Sequence, residues 1–398
     1  MSEQQFDICV VGGAGHVGLP LALVFAAKNL NVAIYDINQN TLKTISEGKM
    51  PWLEEGAQPV LEQVLASERL HLFNDPTVIA RSKTVIVTIG TPVDEFLNPV
   101  HRVVRDCLDD LLDHFRDGQL LILRSTVFPG TTEWLARRLD ESGKKIKLAF
   151  CPERIVQGFA IKELQGMPQI VSGATPEAAL AAHELFGLVA PETIELKPME
   201  AEFAKLFNNC YRYIQFSIAN QFYMIAESAG VDYLSIHHAM THHYPRAKDM
   251  PLPGFTAGPC LFKDTMQLAA FSRNQFALGH AAMLVNEGMV LYVIERMRAQ
   301  YDLEKMTVGI LGMAFKANSD DRRASLSYKL KKALALHAKA VLTSDPLVSD
   351  DPELLPMEDV IAKSDVLILG TPHREYAHLD TRGKPIFDVW HYLDAKGC

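Results

Sequence analysis

Short apolar runs alternating with helical stretches organise the start of the chain. Ile8-Cys9-Val10-Val11 is followed at once by Gly12-Gly13-Ala14-Gly15-His16-Val17-Gly18, then by a helical pattern from Leu19 to Lys28, then by Val32-Ala33-Ile34-Tyr35 ending at Asp36. Strand, glycine turn, helix, strand and acid within about 30 residues make one βαβ unit. Two further apolar runs follow: Thr84 to Ile89 stops at Gly90-Thr91-Pro92, and Leu120 to Leu123 stops at Arg124-Ser125-Thr126. Such runs, ending in small or polar residues, read as parallel strands whose carboxyl ends face a ligand crevice.

The last third repeats this grammar. Val308-Gly309-Ile310-Leu311-Gly312 echoes Ile8 to Gly12, Val341 to Asp345 echoes the strand that ends at Asp36, and Ser364 to Pro372 echoes Ser82 to Pro92. One echo is chance strand composition; three in the same order predict a second α/β domain. Between the halves, residues 198–300 show helical periodicity. Apolar residues at 203, 206, 207, 210, 211, 214, 218, 222 and 225, with no Gly or Pro from Glu200 until Gly230, predict a helix of about 30 residues, or about 45 Å. A helix of that length is a spine shared by two domains or two subunits. The expected fold is therefore α/β, with two Rossmann-like, doubly wound parallel-sheet domains joined by a long central helix. The expected divisions are 1–197, 198–300 and 301–398.

Composition narrows the class. With 398 residues, 48% of them hydrophobic and 22% charged, the chain has the make-up of a multidomain globular protein. A net charge of −9 is a poor match for a nucleic-acid or acidic-membrane binder. No uninterrupted apolar run reaches the ~18 residues of a membrane span, and the start, Met1 to Asp7, lacks the pattern of an export signal. Six cysteines without CxxC pairs fit a reduced, cytoplasmic interior. An enzyme with no nucleic-acid or membrane partner is the expectation.

The glycine turn supplies the first chemistry. In Gly13-x-Gly15-x-x-Gly18 the first glycine makes the turn, the second lets a pyrophosphate approach the backbone, and the third lets helix and strand pack closely. The helix N-terminus offers N–H groups and a partial positive charge to phosphates. Asp36, eighteen residues after Gly18, can accept both hydroxyls of a ribose and would repel a 2′-phosphate, so the cofactor reads as NAD rather than NADP.

Four further segments place polar groups in apolar surroundings: Ser125 to Thr132, Phe150-Cys151-Pro152-Glu153-Arg154, the pair Lys205 and Asn209, and the loop Pro253 to Asp264 that leads through Cys260. Lys205 and Asn209, at i and i+4, project from one helix face. Taken singly, each has a plainer reading. A lone cysteine after a loop is usually a small buried hydrophobe, a helix lysine a solvated charge, and Glu153-Arg154 a surface pair.

Together they resemble the UDP-glucose/GDP-mannose dehydrogenase family of nucleotide-sugar 6-dehydrogenases. The resemblance runs through the glycine fingerprint, Gly90-Thr91-Pro92, Ser125-Thr126-Val127, Pro152-Glu153, Lys205 with Asn209, Cys260 to Asp264, and Phe315-Lys316 through Asp321 and Arg323 to Ser325. It implies a homodimer and a four-electron oxidation. The sugar C6 hydroxyl becomes an aldehyde, the cysteine captures it as a thiohemiacetal, a second NAD-dependent oxidation leaves a thioester, and water releases the carboxylate. By this resemblance Cys260 is the nucleophile, a thiolate being intrinsically reactive and a thioester hydrolysable. Lys205 would stabilise oxyanions and lower the thiol pKa with help from a helix N-terminus. Asp264 and Asn209 would hold a water, and Thr126 and Glu153 would complete the proton-handling shell. The implied cofactor contacts are Gly13, Gly15, His16, Val17, Gly18, Asp36, Thr91, Thr126, Lys263 and Arg323. For the substrate, a UDP-sugar, they are Glu153, Arg154, Lys205, Asn209, Arg246, Phe255, Gly258, Cys260, Phe315 and Lys316, with Arg246 reaching in from the other subunit.

Three departures stand out: Ala257-Gly258 where the family usually has Gly-Gly, Gln157 where UDP-glucose members tend to carry an acid, and Asp388-Val389-Trp390 where many members read Asp-x-Arg. Arg154 after Glu153 resembles members that oxidise UDP-N-acetylmannosamine or UDP-N-acetylglucosamine, because a guanidinium can donate to an acetamido carbonyl or a phosphate. Gly158-Phe159-Ala160 and Cys260-Leu261-Phe262-Lys263-Asp264 instead resemble UDP-glucose members. Two other classes compete. A two-electron dehydrogenase of a small hydroxy acid would need neither the cysteine nor a second α/β domain, and a non-catalytic NAD-binding protein would show no turnover with any nucleotide sugar.

Overall fold

A computed structural model describes residues 4–91, 94, 100–256 and 258–393. Met1 to Glu3, Pro92, Ala257 and Cys398, invoked above, lie outside the described residues. The chain divides into two compact units, Met1–Asn208 and Asn209–Cys398.

The first unit is built on eight strands: β1 (Phe6–Val11), β2 (Val32–Tyr35), β3 (Leu70–Phe73), β4 (Ser82–Val87), β5 (Leu120–Leu123), β6 (Lys147–Phe150), β7 (Gln169–Gly173) and β8 (Thr193–Glu195). They lie in the order β3-β2-β1-β4-β5-β6-β7-β8, so the direction of winding reverses between β1 and β4 and opens a crevice at their carboxyl ends. Alternation along the strands explains why both faces are covered. Ile8, Val10, Ile34, Ile86 and Ile122 enter one core with the helix Gly18–Ala27, while Cys9, Val11, Ala33, Val85, Leu121 and Leu123 enter the other. The helix is apolar on all sides because its whole length from Gly18 to Ala26 is buried. Pairing of β4 ends at Val87 rather than running to Ile89; there Thr88 turns in, its N–H donating to Val11 O at 2.9 Å. The sheet also departs from all-parallel. Strand β7 starts beyond the carboxyl end of β6 and runs back against it, Phe150 opposite Ser172, which leaves residues 151–168 at the crevice end of the sheet.

A helix from Pro198 to Ser228 leads from the first unit into the second, and Gly230, at φ +70°, ends the turn that follows it. The second unit adds the helices Tyr233–Thr241, Leu261–Phe271 and Ala277–Gln300 and a four-stranded sheet. Its strands β9 (Thr307–Leu311), β10 (Ala340–Ser344), β11 (Val366–Leu369) and β12 (Ile386–Phe387) lie in the order β10-β9-β11-β12, all parallel. Among the described residues, Ala277–Gln300 alone is long and apolar enough to cross a membrane by length and composition. Its buried residues Ala282, Asn286, Met289, Val290, Val293 and Met297 recur at helical spacing, and Met289, Val290, Val293 and Met297 pack into the core that contains β9 and β11, as a globular core helix does.

Candidate functional site

In the first unit the glycine turn has the shape that its spacing requires. Gly12, at φ +73°, turns the chain away from β1. A Cβ on Gly13 would sit 2.7 Å from Val10 O and one on Gly18 2.6 Å from Gly13 Cα, so both positions demand glycine for packing. Gly15 differs: a Cβ there would meet Gly12 O alone, at 3.3 Å, so this glycine opens the backbone outward. The first turn of the following helix carries no acid. Asp36 stands just past β2, where its Oδ2 accepts from Ala14 N at 2.9 Å and its Oδ1 from Asn38 N at 2.9 Å. The carboxylate thus anchors the turn and keeps acceptor capacity for two ribose hydroxyls. An open backbone at Gly15, a helix N-terminus and this acid fit the pyrophosphate and ribose of NAD. His16 packs on Trp52, with ring centroids 4.1 Å apart, and its Nδ1 lies 3.1 Å from Gln157 Nε2. Val17 precedes the helix as its cap residue.

The hydroxyl-rich turn after β5 is mostly spent on structure. Ser125 Oγ donates to Ile89 O, Thr131 Oγ1 to Phe128 O, and Thr132 Oγ1 to Glu202 Oε1. Glu202 also accepts from Gly130 N at 2.6 Å and Thr132 N at 2.8 Å. A buried acid on the long helix therefore caps the helix Thr131–Glu141, whose own cap residue, Gly130, has no side chain. Burial pushes the Glu202 carboxyl up against these hydrogen bonds. Thr126 makes no such bond among the described residues and lies half-buried at the crevice end of β5, while Thr91 is half-buried past β4.

Glu153 follows β6 and lies 3.9 Å from Lys205 Nζ, both side chains nearly buried. Its Oε1 is buried without a hydrogen bond, an acceptor available to a water or a ligand hydroxyl. The segment that carries it is clamped from below. Arg124, 1% exposed, donates through Nη1 to Cys151 O at 3.2 Å and Gln169 Oε1 at 3.0 Å, and Gln169 Nε2 donates to Pro152 O at 3.0 Å. Burial lowers the Arg124 pKa while Glu153 opposes the shift. Arg154 is half-buried and donates through Nη2 to Pro168 O; burial lowers its pKa as well.

In the second unit Cys260 is exposed and occupies the cap position of the helix Leu261–Phe271. Asp264 lies one turn on, its N–H donating to Cys260 O at 2.9 Å. Its side chain is fully buried: Asn209 Nδ2 donates to Oδ2 at 2.5 Å, and Lys263 Nζ lies 3.5 Å from Oδ1. The cysteine loop is fixed by close approach, since a Cβ on Gly258 would come within 2.7 Å of the Phe315 ring. Gly254 N donates to Asn220 Oδ1 at 2.8 Å, Asn220 in turn to Asn286 and Asn286 to Tyr213 O, a buried amide chain that holds the loop start beside buried Phe255. Lys316 lies 6.0 Å from the Phe315 ring centroid. Arg323 is bound by Asp321 at 2.6 Å; that hydrogen bond raises its pKa against desolvation, and the Cys260 charge adds to the rise. Arg246 is exposed and folds over Tyr244.

The structure thus groups the expected residues into a cofactor cradle (13–18, 36), a Glu153–Lys205 pair, and a Cys260–Asp264–Asn209 cluster with Lys263, Phe315 and Arg323 around it. Sequence reasoning missed Arg124, Gln169, Glu202 and Asn220. Their one signal was a polar residue within or beside an apolar run.

Comparison with known proteins follows the same layout. Models of the UDP-glucose/GDP-mannose dehydrogenase family match residues 6–188 (NAD binding domain), 199–288 (central domain) and 309–395 (UDP binding domain). A UDP-N-acetyl-D-mannosamine dehydrogenase of Pyrococcus horikoshii is 31% identical over 92% of this chain and 89% of its own. The solved structure of UDP-D-ManNAc dehydrogenase from Pyrococcus horikoshii matches with a TM-score of 0.88 at 25% identity, covering 97% of this chain and 99% of its own. A UDP-glucose dehydrogenase of Pyrobaculum islandicum matches with a TM-score of 0.89 at 25% identity, covering 99% and 96%.

Proposed function

The chain belongs to the UDP-glucose/GDP-mannose dehydrogenase family, and we propose that its reaction is the four-electron oxidation at C6 of a UDP-N-acetylhexosamine, UDP-N-acetylmannosamine first, to the uronic acid. As a member it is an NAD-dependent nucleotide-sugar dehydrogenase. The substrate reading is carried by its 31% identity to a UDP-N-acetyl-D-mannosamine dehydrogenase. Pro152-Glu153-Arg154 supports it, because Arg154 retains N–H donors for an acetamido or phosphate oxygen beyond the one given to Pro168 O.

NAD, when bound to the cradle at 13–18 and 36, supplies the hydride acceptor. The chain's own residues handle nucleophile, oxyanion and protons. Cys260, at a helix N-terminus that favours its thiolate, adds to the C6 aldehyde and later leaves from the acyl carbon. Lys205 offers a nearly buried ammonium to the oxyanion. Asp264, with Asn209 on one oxygen, orients a water. Glu153, with one buried oxygen lacking a hydrogen bond, takes the proton of the water that hydrolyses the thioester, and Thr126 completes the proton-handling shell. Lys263 and Arg323 would meet the cofactor pyrophosphate; Lys316 and the partner-contributed Arg246 would meet the substrate diphosphate and sugar, with Phe255, Gly258 and Phe315 shaping the pocket.

In this reading residues 1–197 bind NAD, 198–300 dimerise and 301–398 bind the UDP-sugar. A homodimer is supported by a stripe of exposed apolar side chains on the long helix, Tyr211, Ile218, Phe222 and Ile225, whose spacing puts them on one face. Sedimentation showing an active monomer at micromolar concentration would contradict it. A reducing compartment that supplies NAD, the cytoplasm, suits the spacing of the six cysteines, which form no CxxC pairs.

The test is kcat/KM for UDP-N-acetylmannosamine, UDP-N-acetylglucosamine and UDP-glucose side by side. A preference for UDP-glucose above about tenfold, or ~1.4 kcal/mol, would overturn the substrate assignment. It would favour the second reading, UDP-glucose oxidation, which the likeness to the Pyrobaculum islandicum enzyme and the Cys260-to-Asp264 segment support.

A further inference from the structure

The two sheets begin alike. Gly12 N donates to Tyr35 O at 2.9 Å and Gly312 N to Ser344 O at 2.8 Å; both glycines have positive φ, +73° and +93°. An acid follows the next strand in each case, and Ala14 N donates to Asp36 Oδ2 as Ala314 N does to Asp345 Oδ2, both at 2.9 Å. Asp345 therefore stands where Asp36 stands.

Its surroundings are different. Asp36 is half-exposed and accepts from Ala14 N and Asn38 N. Asp345 accepts from Met313 N, Ala314 N and His373 Nε2 on Oδ2, and from Leu347 N and Val348 N on Oδ1. Five donors use up the four lone-pair sites of a carboxylate. The His373 and Asp345 side chains are both 0% exposed. Backbone closes the crevice too: a Cβ on Gly312 would lie 2.5 Å from Thr371 N and O, where one on Gly12 would be 3.3 Å from Ile89.

The turn after the first strand has also changed. Residues 12–17 separate β1 from its helix, whereas 312–325 separate β9 from the helix Leu326–Leu334. This longer loop carries Phe315, Lys316 and Arg323, and it is tied down where His373 stands. Asn318 N donates to His373 Nδ1 at 2.9 Å, so Nδ1 is bare and the ring proton sits on Nε2, facing Asp345. Arg374 N donates back to Asn318 Oδ1, and Thr371 Oγ1 to Ala314 O.

We propose that His373 is a positioning residue. It fills the place beside Asp345 that a ribose takes beside Asp36, closes this crevice to a dinucleotide, and pins residues 313–318 so that Lys316 is presented to the substrate diphosphate. This rests on the reading of residues 301–398 as the UDP-sugar domain. The loop is thereby set before ligand arrives, so binding does not carry the entropic cost of ordering it.

The test is calorimetric titration with UDP and with NAD, plus steady-state kinetics, on the full-length wild type, His373→Leu and His373→Gln. Loss of the latch in His373→Leu should raise Kd for UDP and KM for the UDP-sugar at least about tenfold, with kcat within about threefold and Kd for NAD unchanged. His373→Gln, whose amide can donate to Asp345 and accept from Asn318, should recover most of the loss. Unchanged UDP binding by His373→Leu, or equal loss in both variants, would overturn the proposal. Should His373→Leu not fold, hydrogen exchange of the wild type decides. Amides of Ala314 and Asn318 protected equally with and without UDP support a preset loop; fast exchange that UDP suppresses refutes it. Wild type that takes no UDP at all would overturn the functional reading as well, whereas wild-type binding with an indifferent His373→Leu overturns this inference alone.

Discussion

Gly15→Ala should separate cofactor binding from folding. The added methyl meets only Gly12 O, at 3.3 Å, a contact relieved by a shift of a few tenths of an ångström, and Gly15 does not have the positive φ that would strain alanine. The protein should therefore fold and melt as the wild type does. The same methyl stands where a pyrophosphate must approach the backbone. Loss of one N–H bond to a charged oxygen costs about 1.5–3 kcal/mol, so Kd for NAD should rise between about tenfold and somewhat over a hundredfold. Gly18→Ala is the contrasting variant. Its Cβ would lie 2.7 Å from the Thr88 Oγ1 side chain and 2.6 and 2.7 Å from Gly13 Cα and Gly12 O, the last two being backbone that cannot yield cheaply. Overpacking of this kind costs about 1–3 kcal/mol, and the Tm should fall by several degrees. Calorimetric titration with NAD and thermal unfolding of both variants read the two effects. Wild-type affinity in a folded Gly15→Ala, or equal loss of stability in the two, would refute the assignment of Gly15 to the pyrophosphate.

Three other outcomes are expected. Cys260→Ser should keep NAD affinity and fail to complete the oxidation, because an alkoxide is scarce at neutral pH and an oxygen ester leaves less readily than a thioester; full turnover, measured as uronic acid formed, would remove Cys260 from its role. Asp36→Ala should weaken NAD binding and relax discrimination against NADP, and, because Asp36 also accepts from Ala14 N, it should lower stability by about 1 kcal/mol; a wild type that already prefers NADP in kcat/KM would contradict this. For Asp345, burial alone would raise the pKa, but the His373 hydrogen bond and backbone N–H groups hold it down, from 3.8 to about 2. A depressed carboxylate stabilises the fold above its unfolded pKa, and the effect is lost as pH falls through the folded value. The wild type's advantage over Asp345→Asn in denaturant unfolding should therefore shrink by on the order of 2 kcal/mol between pH 4 and pH 2, and an advantage constant over that range would contradict the shift.

Much of the fold was legible because its strands are short and buried on both faces. Val32–Tyr35 and Leu120–Leu123 form with the bounds their apolar runs suggest, and the long helix runs Pro198–Ser228. Strands β7 and β8 were not visible. Gln169–Gly173 and Thr193–Glu195 are edge-side segments with polar ends, and nothing local distinguishes a strand that runs back against β6 from a loop. The glycine fingerprint and Cys260 declared themselves because their chemistry depends on spacing along the chain. Glu202, Arg124 and His373 did not, because their partners lie 70, 45 and 28 residues away and only the fold brings them together. The hydroxyl-rich turn was legible as a polar segment but not in its division of labour: Ser125, Thr131 and Thr132 serve the backbone and the helix cap.

The central claim is a four-electron oxidation completed on one nucleotide sugar. Its most direct test is the number of NADH formed per UDP-N-acetylmannosamine consumed to completion by the wild-type protein, with the product identified by mass. Two NADH and the uronic acid are predicted. One NADH with the aldehyde as product, or no NADH with any UDP-sugar offered, would contradict it.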